Sequence, residues 1–101
     1  MTTQAVRTLE QIRQRRLELV ALAARHGARH LRVFGSVARG EDTIASDIDF
    51  LVEMEAGRSL TDLVGLRDDL ASALGRDVDV VSEKGIYPYL RDRILNEAVD
   101  L

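Results

Sequence analysis

The sequence contains no cysteine and no tryptophan, a single proline (Pro88), two phenylalanines and two tyrosines. Without cysteine there are no disulfides and no thiolate metal sites, which fits a reducing compartment and leads us to expect a cytoplasmic protein. Long apolar runs are also missing. The longest, Leu19 to Ala24, is far short of the ~20 residues a membrane-spanning helix needs, so no membrane association is expected. The opening MTTQAVRTLEQIRQRR has no apolar stretch of the kind a secretory signal carries. Basic charge is not in excess, since 14 Lys and Arg stand against 17 Asp and Glu for a formal net charge of −3. A surface that grips nucleic acid non-specifically needs clustered positive charge, so direct nucleic-acid binding is not expected.

What is present suits a folded domain. The 101 residues are 46% hydrophobic and 31% charged, an ordinary balance for a globular protein and enough chain for one core. No internal repeat, low-complexity tract or linker interrupts the chain, so residues 1–101 are expected to form a single domain.

The apolar spacing predicts an amphipathic helix from about Ala5 to His26, with Leu9, Ile12, Leu19, Val20 and Ala23 on one face and Gly27 as its stop. His30 to Phe34 reads as a short strand that runs straight into Gly35-Ser36, with Ser36 as N-cap of a short helix through Arg39. After a polar loop, Asp47 to Val52 alternates Ile48, Phe50 and Val52 against Asp47, Asp49 and Leu51. A helix follows Ser59 with Leu60, Leu63, Val64, Leu66, Leu70 and Leu74, and Gly75 ends it. Val78 to Val81 is a third strand, and Tyr89 to Val99 a closing helix with Leu90, Ile94, Leu95 and Ala98 inward. The expected fold class is therefore α/β (α+β), in the order α-β-α-β-α-β-α, with helices packed against a small mixed sheet.

The stretch GSVARGEDTIASDIDF, Gly35 to Phe50, carries the chemistry. A Gly-Ser pair between strand and helix lets a phosphate approach the backbone, where free N–H groups and the Ser36 hydroxyl can meet it. Asp47 and Asp49, two apart on a strand, share a face with Cα atoms roughly 6.6 Å apart. Like charges so close repel unless a cation compensates them, and hard ions such as Mg²⁺ take such oxygen ligands. Asp79, in DVDVV, could complete a three-carboxylate cluster of the kind that holds two metal ions. Asp77 shares its parity, and the pattern does not choose between them. Arg39 lies one turn past Ser36, within reach of a phosphate oxygen or of Glu41 and Asp42. Glu53 and Glu55 share the parity of the Asp pair but lie further along, and read as solvated. Tyr87 and Tyr89 read as packing or surface residues.

The interval from Gly35-Ser36 across ten residues to Asp47-Ile48-Asp49, with the later Val78-Asp79, resembles the minimal nucleotidyltransferase domain of the polymerase β-like superfamily. The likeness extends to the C-terminal YLRDRILNEAVDL. It implies that Gly35 and Ser36 seat a triphosphate and that Asp47, Asp49 and Asp79 bind Mg²⁺, two ions in all. Asp79 would also help deprotonate the incoming hydroxyl. Proteins of this size in the family resemble antitoxins that transfer AMP from ATP to a tyrosine of a partner HEPN toxin. The alternatives are transfer to a small molecule or RNA end, for which the chain leaves no separate acceptor domain, and steric blockade without catalysis, which gives no reason to cluster acids. Arg25-x4-His30 also fits the arginine-to-histidine spacing of HEPN ribonucleases, but His30 opens a strand where that reading needs a helical bundle.

Overall fold

The computed structural model describes residues 7–101. Two helices, α1 (Thr8–Gln14) and α2 (Arg16–Arg25), lead into strand β1 (Ala28–Phe34), the short helix α3 (Gly35–Arg39) and strand β2 (Ile48–Met54). Helix α4 (Leu60–Leu74), strand β3 (Val78–Ser82), a 3₁₀ turn at Glu83–Gly85, helix α5 (Pro88–Glu97) and strand β4 (Val99–Asp100) complete the chain. The sheet runs β3-β2-β1-β4. β1 is antiparallel to β2 and β4, while β2 and β3 are parallel, joined by the α4 crossover. The mixed sheet with helices against it agrees with the expected fold class.

The first helix is not one piece. Arg15 leaves helical geometry at φ −103°, ψ 17°, and its guanidinium donates to the Ala73 carbonyl at 2.7 Å, one of the carbonyls left unpaired at the end of α4. The expected start at Ala5 lies outside the described residues. Leu9, Ile12, Leu19 and Ala23 are buried as expected, but Val20 is 43% exposed, being about 100° round the helix from Leu19.

One sheet face holds the core. Leu31 and Val33 of β1, Ile48, Phe50 and Val52 of β2, and Val78 and Val80 of β3 pack with Leu9, Ile12, Leu19, Ala23, Leu66 and Leu70. Ala28 joins them although its parity is wrong for an unbroken strand. A register shift between Arg29 and Arg32, with His30 at φ +54°, inserts the extra residue that restores the face. This bulge is why regular alternation begins only at Leu31.

Helix α4 begins as its sequence suggests. The Asp62 carboxylate accepts the Ser59 N–H at 2.9 Å, a reciprocal cap at the first turn. At its other end Gly75 takes the left-handed conformation. Leu60 and Val64 are exposed, while Leu66 and Leu70 are buried. Helix α5 starts with Pro88 at its first turn. Its inward residues Leu90, Ile94 and Leu95 are only half-buried, because α5 lies against α3 rather than within the main core. Ala98 is past its end, and Val99 pairs with Val33 as part of β4. Two residues are too few to show alternation, so this strand has no sequence signature. Among the described residues no helix is long and apolar enough to cross a membrane.

Candidate active site

The site sits where β1, α3, β2 and the end of α5 meet. Gly35 has φ +74°, a left-handed conformation that costs any residue with a Cβ. Space forbids a side chain as well, since a Cβ there would run into the Asp49 carboxylate. Glycine thus brings the backbone of the β1–α3 turn against the acid. Helix α3 starts at Gly35 with the extended Phe34 as its N-cap, so Ser36 lies inside the first turn and is not the N-cap as expected. It is one of the residues lining the cleft described below.

The parallel register of β2 and β3 aligns Asp49 with Asp79, on neighbouring strands about 4.8 Å apart. Asp77 precedes β3, and its backbone carbonyl accepts the Ile48 N–H at 3.0 Å. The geometry therefore separates the two acids that parity left equivalent. Asp47 sits one residue before β2 and is exposed.

The loop that carries Asp47 is held by Arg76. Its Nη2 donates to the carbonyls of Thr43 at 2.9 Å and Ser46 at 2.8 Å, while Nη1 reaches Asp42 at 3.4 Å. Thr8 closes the same network with a 2.6 Å hydrogen bond to Asp42. Arg76 follows the glycine that stops α4 and looks in sequence like any surface arginine.

Phe34, Gly35, Ser36, Arg39, Asp49, Leu90, Arg93, Ile94 and Glu97 line one cleft of about 320 Å³. Arg39 pairs with Glu41, one of the two acids its position offered, and with Glu97 in place of Asp42. Its Nε donates to Glu41 at 2.9 Å and its Nη1 to Glu97 at 2.9 Å. The other Glu97 oxygen accepts the Gly35 N–H at 2.6 Å. Neither Glu97 nor Arg93 stands out in the sequence. They are one turn apart on α5, at the i, i+4 spacing that shares a face with Leu90 and Ile94.

Burial pushes the Asp49 carboxyl up to about 6, helped by the charges of Asp79, Asp47 and Glu97 and opposed by Arg39. A cluster in which one acid resists ionisation is one that a cation would relieve, and its all-oxygen donor set suits Mg²⁺. The residues present fit that ion. Their oxygens are not drawn into one tight triad, as mutual repulsion of like charges would lead one to expect.

A tighter group of potential ligands lies elsewhere, where ligand atoms of His30, Glu53 and Glu83 fall within 4.8 Å of one another. Glu53 is four residues along β2 from Asp49, roughly 13 Å by strand rise. The group is occupied by its own counter-charges. Arg32 donates to Glu83 at 2.8 Å, and His30 shares a 3.0 Å hydrogen bond with Asp100. Glu53, read as solvated, is half-buried beside Arg29 and His30. Glu55 is exposed as expected. Tyr87 and Tyr89 stack at 5.8 Å and are 66% and 81% exposed.

A family model described as "Nucleotidyltransferase domain" matches residues 9–101. A provisionally named protein adenylyltransferase of Methanocaldococcus jannaschii is 48% identical over 84 residues, covering 83% of this chain and 90% of that protein. A solved minimal nucleotidyltransferase, itself provisionally named, superposes with a TM-score of 0.83 at 52% identity, covering 92% of this chain and 95% of the other. A chain from the solved complex of a tri-AMPylated Shewanella oneidensis HEPN toxin with an MNT antitoxin superposes at a TM-score of 0.67, over 87% of this chain and 69% of that one. At 21% identity that last likeness is one of fold alone. The chain belongs to the nucleotidyltransferase domain family and is an enzyme of the nucleotide-transferring class.

Proposed function

We propose that this chain transfers AMP from ATP to a hydroxyl, that of a tyrosine, on a HEPN-type toxin, and so acts as its antitoxin in the cytoplasm. The observation that carries the reading is the register of Asp49 against Asp79 beside a glycine backbone that only a residue without Cβ can supply. The relative named as an adenylyltransferase supports AMP as the group moved, and the toxin–antitoxin complex of like fold supports the partner.

In this reading the triphosphate lies in the cleft against Gly35, Ser36 and Arg39. Asp47, Asp49 and Asp79 hold Mg²⁺, two ions, which when bound neutralise phosphate charge and fix the reacting oxygens. The acceptor hydroxyl oxygen bonds to the α-phosphorus as the bond to the bridging β-phosphate oxygen breaks. Pyrophosphate leaves, and the hydroxyl proton passes to an Asp79 carboxylate oxygen. Arg39 offsets charge on the departing phosphates, so the protein's part is chiefly positioning and charge stabilisation.

A transfer assay with α-labelled ATP, Mg²⁺ and a HEPN-type toxin tests the reading. Label should move to the toxin with the wild-type chain and not with Asp47→Asn plus Asp49→Asn. Neutralisation of the toxin by that double variant, without label, would favour steric blockade.

A further inference from the structure

Two anion donors of the cleft, the Gly35 N–H and Arg39, are engaged by a carboxylate of the chain itself. Glu97 accepts the Gly35 N–H with one oxygen at 2.6 Å and the Arg39 guanidinium with the other at 2.9 Å. These are short, charge-assisted contacts of the kind a phosphate oxygen makes. Its position follows from the strand that comes after it. Val99 is paired with Val33, so the residue two before Val99 is brought over the turn that follows Phe34. No residue of α5 is fully buried, so the Glu97 side chain can swing aside without opening the main core. Arg93, one turn earlier, lines the same cleft and forms no ion pair among the described residues.

We propose that Glu97 is a tethered stand-in for nucleotide phosphate, holding the Gly35 N–H and Arg39 until an incoming triphosphate displaces it. The inference rests on the reading of this cleft as the nucleotide site. Displacement frees the Glu97 side chain to swing aside, while Arg39 exchanges one anion for another and Arg93 gains a partner. A site closed by its own side chain binds with an affinity reduced by the fraction of time it is open. Weakening Glu97's hold therefore tightens nucleotide binding, the opposite of what loss of a merely supporting residue does.

The test is calorimetric binding of α,β-methylene ATP, and separately of inorganic tripolyphosphate, to the full chain with Mg²⁺. Glu97→Gln keeps the shape but loses the charge, and should bind both probes roughly tenfold more tightly than wild type. The equal gain with tripolyphosphate, which lacks base and sugar, assigns the effect to the phosphate donors. If wild type binds the nucleotide but Glu97→Gln binds it equally or more weakly, the stand-in role is overturned and the nucleotide site survives. If wild type binds neither probe, both fall. Should Glu97→Gln melt below the assay temperature, Glu97→Asp keeps the charge but shortens the reach by one methylene, and the same comparison decides.

Discussion

Asp49 of β2 and Asp79 of β3 are register partners across the parallel strand pair, although thirty residues and a whole helix separate them in sequence. The α4 crossover makes them neighbours, and the core residues on either side, Ile48 and Phe50 against Val78 and Val80, lock the register. A one-residue slip of either strand would turn its acid into the core. The acidic cluster is thus a consequence of packing on the opposite face of the same sheet.

Asp49→Asn should abolish nucleotide transfer while leaving the fold intact. The substitution removes a charge that its neighbours oppose, so the melting temperature at pH 7 without metal should equal or exceed that of wild type. Thermal melting alongside the transfer assay checks both halves, and retained transfer would contradict the assigned role.

The same residue sets a pH dependence. Asp49 titrates near 6 in the fold against an ordinary value of 3.8. Between these values the folded chain keeps a proton that the unfolded chain has released, so folding stability falls as pH rises through that window. The favourable contribution is fully present below 3.8 and is gone above about 6. In chelator-containing buffer, wild-type melting temperature should drop more from pH 4 to pH 7 than that of Asp49→Asn. Parallel profiles would remove the argument that Asp49 is the strained acid.

Gly35→Ala should cost at least about 1–2 kcal/mol from the left-handed backbone alone, with further strain from contact with the Asp49 carboxylate. Denaturant melts should show the loss of stability, and binding of the ATP analogue should weaken because the backbone can no longer approach the phosphates.

Arg76→Ala should destabilise the chain by about 1–2 kcal/mol and lower transfer, though Arg76 touches neither acid. It ties the Thr43 and Ser46 carbonyls to the start of β3, and Ser46 adjoins Asp47. Proteolysis should open the 42–46 loop faster in the variant than in wild type. Equal loop protection would count against the role given to Arg76.

Much of this site is legible in the sequence, for a physical reason. The interval between Gly35-Ser36 and the Asp pair is local, and the strand periods around Asp49 and Asp79 assign each acid a face. What escapes is whatever depends on return contacts. Glu97 reaches the cleft only because β4 pairs with β1, and two residues carry no period. Arg76 acts through backbone carbonyls some thirty residues earlier, which no side-chain pattern marks. Ser36 has the side chain of an N-cap, yet Phe34 takes that position and leaves Ser36 in the first turn. The break at Arg15 is likewise set by a carbonyl at the end of α4.

The most direct measurement is the intact mass of a HEPN-type toxin after incubation with this chain, ATP and Mg²⁺. The account predicts a gain of one or more AMP units on the toxin, at tyrosine, absent when Asp47 and Asp49 are both replaced by asparagine. An unmodified toxin that is nevertheless neutralised by both wild-type and doubly substituted chains would contradict it.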